Sequence, residues 1–105
     1  MTQEEKEIYA NIFKLALRIS KSPQYSEFAM YCFKAIKEVG NAKNEDFTKS
    51  WEYLKKYNDI ENTEENFLKA IDDLNEQAEE LGAFGRRLMS LVLHEIERKN
   101  KGGAE

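Results

Sequence analysis

Apolar positions along the chain recur at steps of three and four, and almost nowhere at steps of two. Ile8, Ile12, Leu15 and Ile19 form the first stripe, which Tyr9, Phe13 and Ala16 widen. Such steps return to one side of an α-helix, so the pattern predicts a helix from about Gln3 to about Ser20. Thr2 followed by Glu5 has the form of a capping box at its start. Ser22-Pro23 then predicts an N-cap and a first helical position for a second helix. Tyr25, Phe28, Ala29, Cys32, Ile36 and Val39 share its core face, and Gly40-Asn41 closes it. Met30 and Tyr31 fall roughly 120–140° to either side of that face, counting 100° per residue.

The third stripe is Phe47, Trp51 and Leu54, with Tyr57 at its border. Asn44 is the expected cap, Glu45 and Asp46 suit the positive end of the helix, and Trp51 is expected in the core. After a polar loop at 58–62, Asn62 or Thr63 caps a fourth helix, whose apolar side is Phe67, Ile71, Leu74, Ala78 and Leu81. Gly82 and Gly85 interrupt the pattern, each costing roughly 1 kcal/mol against alanine in a helix interior. They leave open whether one helix is kinked or two are separated. Beyond them Phe84, Leu88, Met89, Leu91, Val92, Leu93 and Ile96 cover more than half a helix circumference, the signature of a central, buried helix. The tail at 101–105 is expected to fray. The fold expected is all-α, an antiparallel four- to five-helix bundle forming one domain over 1–100.

Composition agrees with that expectation. The chain has 105 residues, one proline and five glycines, and 41% of its positions are hydrophobic, which is enough for one self-sufficient core. Cys32 is the sole cysteine, so no intramolecular disulfide forms and a reducing compartment is the natural home. No signal-like stretch follows Met1, and the run from Leu88 to Leu93 is far too short to cross a bilayer. A cytoplasmic location is the expectation.

Charge is segregated. Between Thr63 and Gly85 seven acids (Glu64, Glu65, Asp72, Asp73, Glu76, Glu79, Glu80) face only Lys69, a local excess of −6 in a chain whose net charge is −4. A solvated face is the plain interpretation; a docking face for a basic partner, using Asp72, Asp73, Glu76, Glu79 and Glu80, is the sharper one. From Arg86 onward the balance reverses, with Arg86, Arg87, Arg98, Lys99 and Lys101 available for phosphate contacts. The overall pI near 5.2 restricts nucleic-acid contact to a subunit of a larger complex.

Little in the sequence points to catalysis. No cofactor motif is present, and the Glu-x-x-His motif of carboxylate-bridged metal bundles is missing, since Leu91 stands three before His94, the only histidine. No metal or cofactor is therefore assigned. Arg87 and His94 lie two turns apart on one helix face, beside Ser90 and Arg98. Their spacing resembles the Arg-x(4–6)-His pattern of HEPN ribonucleases, which are helical and usually dimeric. The resemblance implies that His94 moves a proton and Arg87 stabilises the scissile phosphate. Leu88 stands where that pattern customarily has a polar residue.

Ile19-Ser20-Lys21-Ser22-Pro23-Gln24-Tyr25-Ser26-Glu27 resembles a segment between the first two helices of enterocin A-type immunity proteins. Those are cytosolic four-helix bundles of similar length that protect bacteria from pediocin-like bacteriocins. The resemblance implies a non-catalytic binding protein. The C-terminal part departs from it, with a long charged helix in place of a short helix and an irregular tail. Three readings follow in order: a helical protein that docks onto a larger protein partner, a helical subunit of a nucleic-acid-handling complex, and a HEPN-like ribonuclease. Met30 and Tyr31 are the expected anchors of the first, and self-association is compatible with it; the alternative is that a fifth helix covers both, since the apolar arc from Leu88 to Ile96 must pack somewhere.

Overall fold

A computed structural model describes residues 2–58, 61 and 63–102. Among them are five α-helices, one 3₁₀ turn and no strand. The helices are α1 (Gln3–Ile19), α2 (Phe28–Val39), α3 (Asn44–Tyr57), α4 (Glu64–Ala78) and α5 (Ala83–Gly102). The all-helical fold read from the periodicity is present. The loop expected at 58–62 lies outside the described residues at 59, 60 and 62, as does the tail at 103–105.

The wide apolar arc explains the architecture. Phe84, Leu88, Met89, Val92 and Ile96 are all fully enclosed, because α5 packs against α2, α3 and α4 at once. Gly82 separates two helices rather than kinking one. Its N–H donates to the Asp46 carboxylate at 3.2 Å, and the Arg86 guanidinium donates back to the carbonyls of Ala78 and Leu81. The end of α4 and the start of α5 are thus capped from opposite sides.

Contacts set the direction of α2 against α1. Tyr9 accepts the Asn41 N–H, Phe13 meets Phe33, and Ser20 accepts the Ala29 N–H, so residues late in α1 face residues early in α2. Gly40 and Asn41 both adopt positive φ and end α2 as expected.

Several local expectations are corrected. The second helix starts at Phe28, not after Ser22-Pro23. Pro23–Tyr25 winds as a 3₁₀ turn, and the Ser22 side chain caps nothing. Tyr25 is held edge-on against Trp51 in α3, and the Ser20 hydroxyl supplies the cap for α2, at 2.9 Å from the Ala29 nitrogen. Asn44 does not cap α3; it is the first helical residue, and its carbonyl accepts from Thr48. Asp46 leaves solvent to serve Gly82 and is buried. Trp51 is only half-buried, and Tyr53, off the expected stripe, takes the enclosed position instead. Its hydroxyl donates to the Ala70 carbonyl at 2.7 Å, which lets a phenol sit in the core. On α4 only Ala70 is fully buried while Phe67, Ile71 and Leu74 are partly covered, because this helix packs against α5, meets α3 through the hydroxyls of Tyr53 and Tyr57, and has nothing over its outer side among the described residues. Leu15 and Val39, both placed on core faces by spacing, are exposed.

Candidate docking surface

The Arg87 and His94 pair sits on the seam between α2 and α5. Together with Tyr31, Lys34, Leu91, Glu95 and Arg98 it lines a shallow, open depression. Carboxylates engage the arginines here. The Arg87 guanidinium donates to Glu38 across the seam, and this hydrogen bond holds the Glu38 carboxyl below its ordinary range. Glu95 is 4% exposed and accepts two hydrogen bonds from Arg98, at 2.6 and 2.9 Å. The Tyr31 hydroxyl lies within bonding reach of both Glu95 and Glu27, and Arg98 reaches Glu27 as well. Burial and then the bond to Glu95 push the Tyr31 phenol far above its usual value. Sequence spacing placed Tyr31 on an outer face; α5 covers it. The signal that was missed is Glu95, an acid inside an apolar arc and one turn before an arginine, a pattern that suits a buried ion pair.

Arg86 is committed to the end of α4, as described above. The side chains of Lys99 and Lys101 lie outside the described residues. Arg86, Arg87 and Arg98, the described members of the basic set, therefore each serve a protein acceptor already.

The acid face is divided. Asp73 turns toward α3, where Tyr57 donates at 2.6 Å and Lys56 at 3.1 Å, and Gln77 of its own helix donates at 2.9 Å. Burial works to raise its carboxyl, and these donors outweigh it and leave it low. Glu80 pairs with Lys49 at 3.5 Å. Asp72, Glu76 and Glu79 remain on the outer side of α4 in solvent, where Leu68 is also exposed.

The outer face of α1 and α2 has a different chemistry. Met30 is 66% exposed, Phe33 54% and Leu17 47%. Phe13, half-buried, meets Phe33 edge-on with ring centroids 5.9 Å apart. One turn beyond Phe13 stands Leu17, and three residues before Phe33 stands Met30. Since the helices run in opposite directions, the four side chains form one row along the seam. Lys14, Arg18, Lys21, Lys34 and Lys37 are exposed on the same two helices and their junction. None of these five takes part in a salt bridge among the described residues. Glu27 is the only acid between Ala10 and Lys37, and it turns to Tyr31 and Arg98. Cys32 is fully buried behind this face, and burial raises its thiol well above the ordinary range, away from the reactive thiolate.

No protein-family model, curated protein or solved structure matches the chain.

Of the two expected anchors, Met30 stands in the apolar row and Tyr31 does not. Phe33 and Leu17 complete that row. On a helical wheel Phe33 falls at the margin of the α2 core face and reads as core from spacing, whereas Leu17 falls about 130° from the centre of the α1 face, so spacing already places it on the outside. Among the described residues no helix is long and apolar enough to cross a membrane, and no three of His, Cys, Asp and Glu converge as metal ligands.

Proposed function

We propose that the chain is a non-catalytic antiparallel helical bundle of the cytoplasm that acts by docking onto a larger protein. The observation that carries this is the row of Leu17, Met30 and Phe33, three large apolar side chains exposed on adjoining helices. Scattered exposed hydrophobes are ordinary, but a contiguous row rimmed by polar residues marks an interaction surface. Bacteriocin-immunity-like action is the most specific form of the proposal. It rests on the resemblance at 19–27, which falls between the first two helices here as it does in that family.

The nucleic-acid reading stands second, because Arg86, Arg87 and Arg98 would have to leave their protein acceptors to hold phosphates. The ribonuclease reading stands third for the same reason at Arg87. The test uses the full chain as bait in lysate of its native host, beside Met30→Glu/Phe33→Glu. A partner captured by the parent and lost by the variant is the expected result. A sensitive bacterial strain expressing the chain should also survive a pediocin-like bacteriocin, and should lose that protection with the double variant. Capture unaffected by the double variant would sink the docking surface.

A further inference from the structure

We infer that the furrow between α1 and α3 binds a small phosphate monoester, a ligand separate from any partner on the apolar row. α1 packs chiefly against α2 and α3 chiefly against α5, so α1 and α3 meet along one edge only. The depression left between them has a volume of about 410 Å³, a size that suits a small molecule. Its base is apolar. Phe47 is buried there, and Leu15 is 37% exposed because the furrow opens over it. That opening accounts for a leucine that stands on the core stripe and still meets solvent.

The polar lining fits an anion. Lys14 and Arg18 stand one turn apart on α1, Asn11 precedes them by a turn, and Asn44 lines the furrow from α3. None of these four side chains has a protein partner among the described residues. Thr48 turns its hydroxyl to the Asn44 carbonyl at 3.0 Å. No carboxylate lines the furrow, although the chain has 20 acids and a net charge of −4. By contrast, the α2–α5 depression holds Glu95, and one beside Gly82 holds Glu5. The acids nearest to Asn44 in the chain are engaged elsewhere, Glu45 by Lys49 and Asp46 by Gly82.

Charge then selects the ligand. Two like charges four residues apart on a helix repel each other, and an anion between them relieves that repulsion. A phosphate monoester carries nearly two negative charges at neutral pH and three strong acceptor oxygens, which match two cations and two amide donors. A phosphodiester brings only one charge. The planar fork of Arg18 suits two phosphate oxygens together, and Leu15 supports the organic part of the ester. Glu7 and Glu52 stand one turn outside the furrow on α1 and α3, where they oppose a longer polyanion such as a nucleic-acid strand.

Phenyl phosphate is the probe, titrated into the isotope-labelled full chain while backbone amide shifts are followed by NMR. Shifts should gather at Asn11, Lys14, Arg18, Asn44 and Thr48, with a Kd of about 0.1–1 mM, as suits an open site. Methyl phenyl phosphate, the diester with one charge fewer, should bind at least about tenfold more weakly. Lys14→Ala and Arg18→Ala should each weaken phenyl phosphate about tenfold or more, with unchanged circular dichroism, since the fold uses neither side chain. Lys37→Ala, which removes the same charge from α2, should leave the affinity as it was.

Equal affinity for the diester overturns the inference. So does a loss with Lys37→Ala as large as that with Lys14→Ala, which would show diffuse attraction rather than a site. Shifts centred on Arg87, His94 and Arg98, or no saturation by about 10 mM, overturn it as well. If a phosphoserine peptide or phosphatidic acid vesicles move the same amides while phenyl phosphate does not, the site belongs to a macromolecule and the small-molecule assignment falls.

Discussion

The Asp46 carboxylate, carried by the first turn of α3, receives the backbone N–H of Gly82 just before α5 begins. A side chain that spacing assigned to its own helix dipole thus serves the start of another helix, 36 residues away. The fit is tight. A Cβ at Gly85 would come within 2.8 Å of the Asp46 Cβ and Cγ, and one at Gly82 within 3.1 Å of its Oδ2. The glycines that interrupt the apolar pattern are therefore contact points for an acid, which explains why the helix-breaking cost is tolerated there.

Gly85→Ala should destabilise the fold by about 1–3 kcal/mol, the usual cost of overpacking. The neighbours it would strike, including the Leu81 Cδ2, are close to the backbone or enclosed and have little room to move. Asp46→Ala removes the acceptor and should cost about 1–2 kcal/mol, the range for a lost cap. Urea unfolding measures both. A neutral Gly85→Ala would show that α3 and α5 can separate without penalty.

The aromatic residues of α3 offer a second measurement. Trp51 is half-buried against Tyr25 and Phe28, with the Lys55 ammonium 5.4 Å above its ring. Trp51→Ala should therefore cost about 2–3 kcal/mol, below the range for fully enclosed aromatics. Tyr53→Phe deletes one oxygen from a buried side chain yet should cost about 1–2 kcal/mol, because the Ala70 carbonyl loses its donor in the core. Denaturant midpoints of the two variants rank them directly, and a neutral Tyr53→Phe would remove the hydroxyl from the account.

These residues show what periodicity conveys. It located each helix, because an apolar stripe reports which side of a helix is covered. It does not report how far the cover extends. Leu15, Phe33 and Val39 are as apolar as Ile12 and Cys32, and only packing against particular neighbours separates exposed from enclosed. The Ser22-Pro23 start failed for a related reason: Tyr25 is held by Trp51, a residue 26 positions later, and local capping chemistry carries no trace of it. In the candidate surface Met30 was legible as an exposed hydrophobe. Tyr31 was not, since its cover comes from Glu95 and Arg98 on α5.

Alkaline titration should expose the buried donors. Burial raises the Cys32 thiol and the Tyr53 phenol, and burial with hydrogen bonds to Glu95 and Glu27 raises the Tyr31 phenol. A folded-state value above the unfolded one means that the native chain holds the proton more tightly. The resulting stability is fully present below the ordinary values, 9.0 for the thiol and 10.0 for the phenols, and is lost as pH rises beyond them. Urea midpoints should stay level from pH 7 to about 8.5 and then fall steeply, with Cys32→Ala delaying the onset. A flat profile to pH 11 or so would contradict the burial of these groups.

Arg87 and His94 provide the sharpest separation between binder and enzyme. Phosphoryl chemistry needs the arginine free to meet a developing negative charge and the histidine within reach of the proton to be moved. Here the Arg87 guanidinium is engaged by Glu38, and it shares its depression with Glu95 and Arg98, whose own charges are paired. His94 is exposed and lies two turns further along α5. Arg87→Ala breaks a part-exposed ion pair, and such pairs contribute little to folding, so the melting temperature should change by no more than a few degrees. His94→Ala should be silent in the same assay. Neither substitution touches Leu17, Met30 or Phe33, so capture of the host partner should persist in both variants. Incubation of the parent with structured and single-stranded RNA in chelator should leave the RNA intact. Cleavage that disappears in Arg87→Ala and in His94→Ala alike would instead show that Glu38 releases the arginine on substrate binding, and the ribonuclease reading would then replace the docking one.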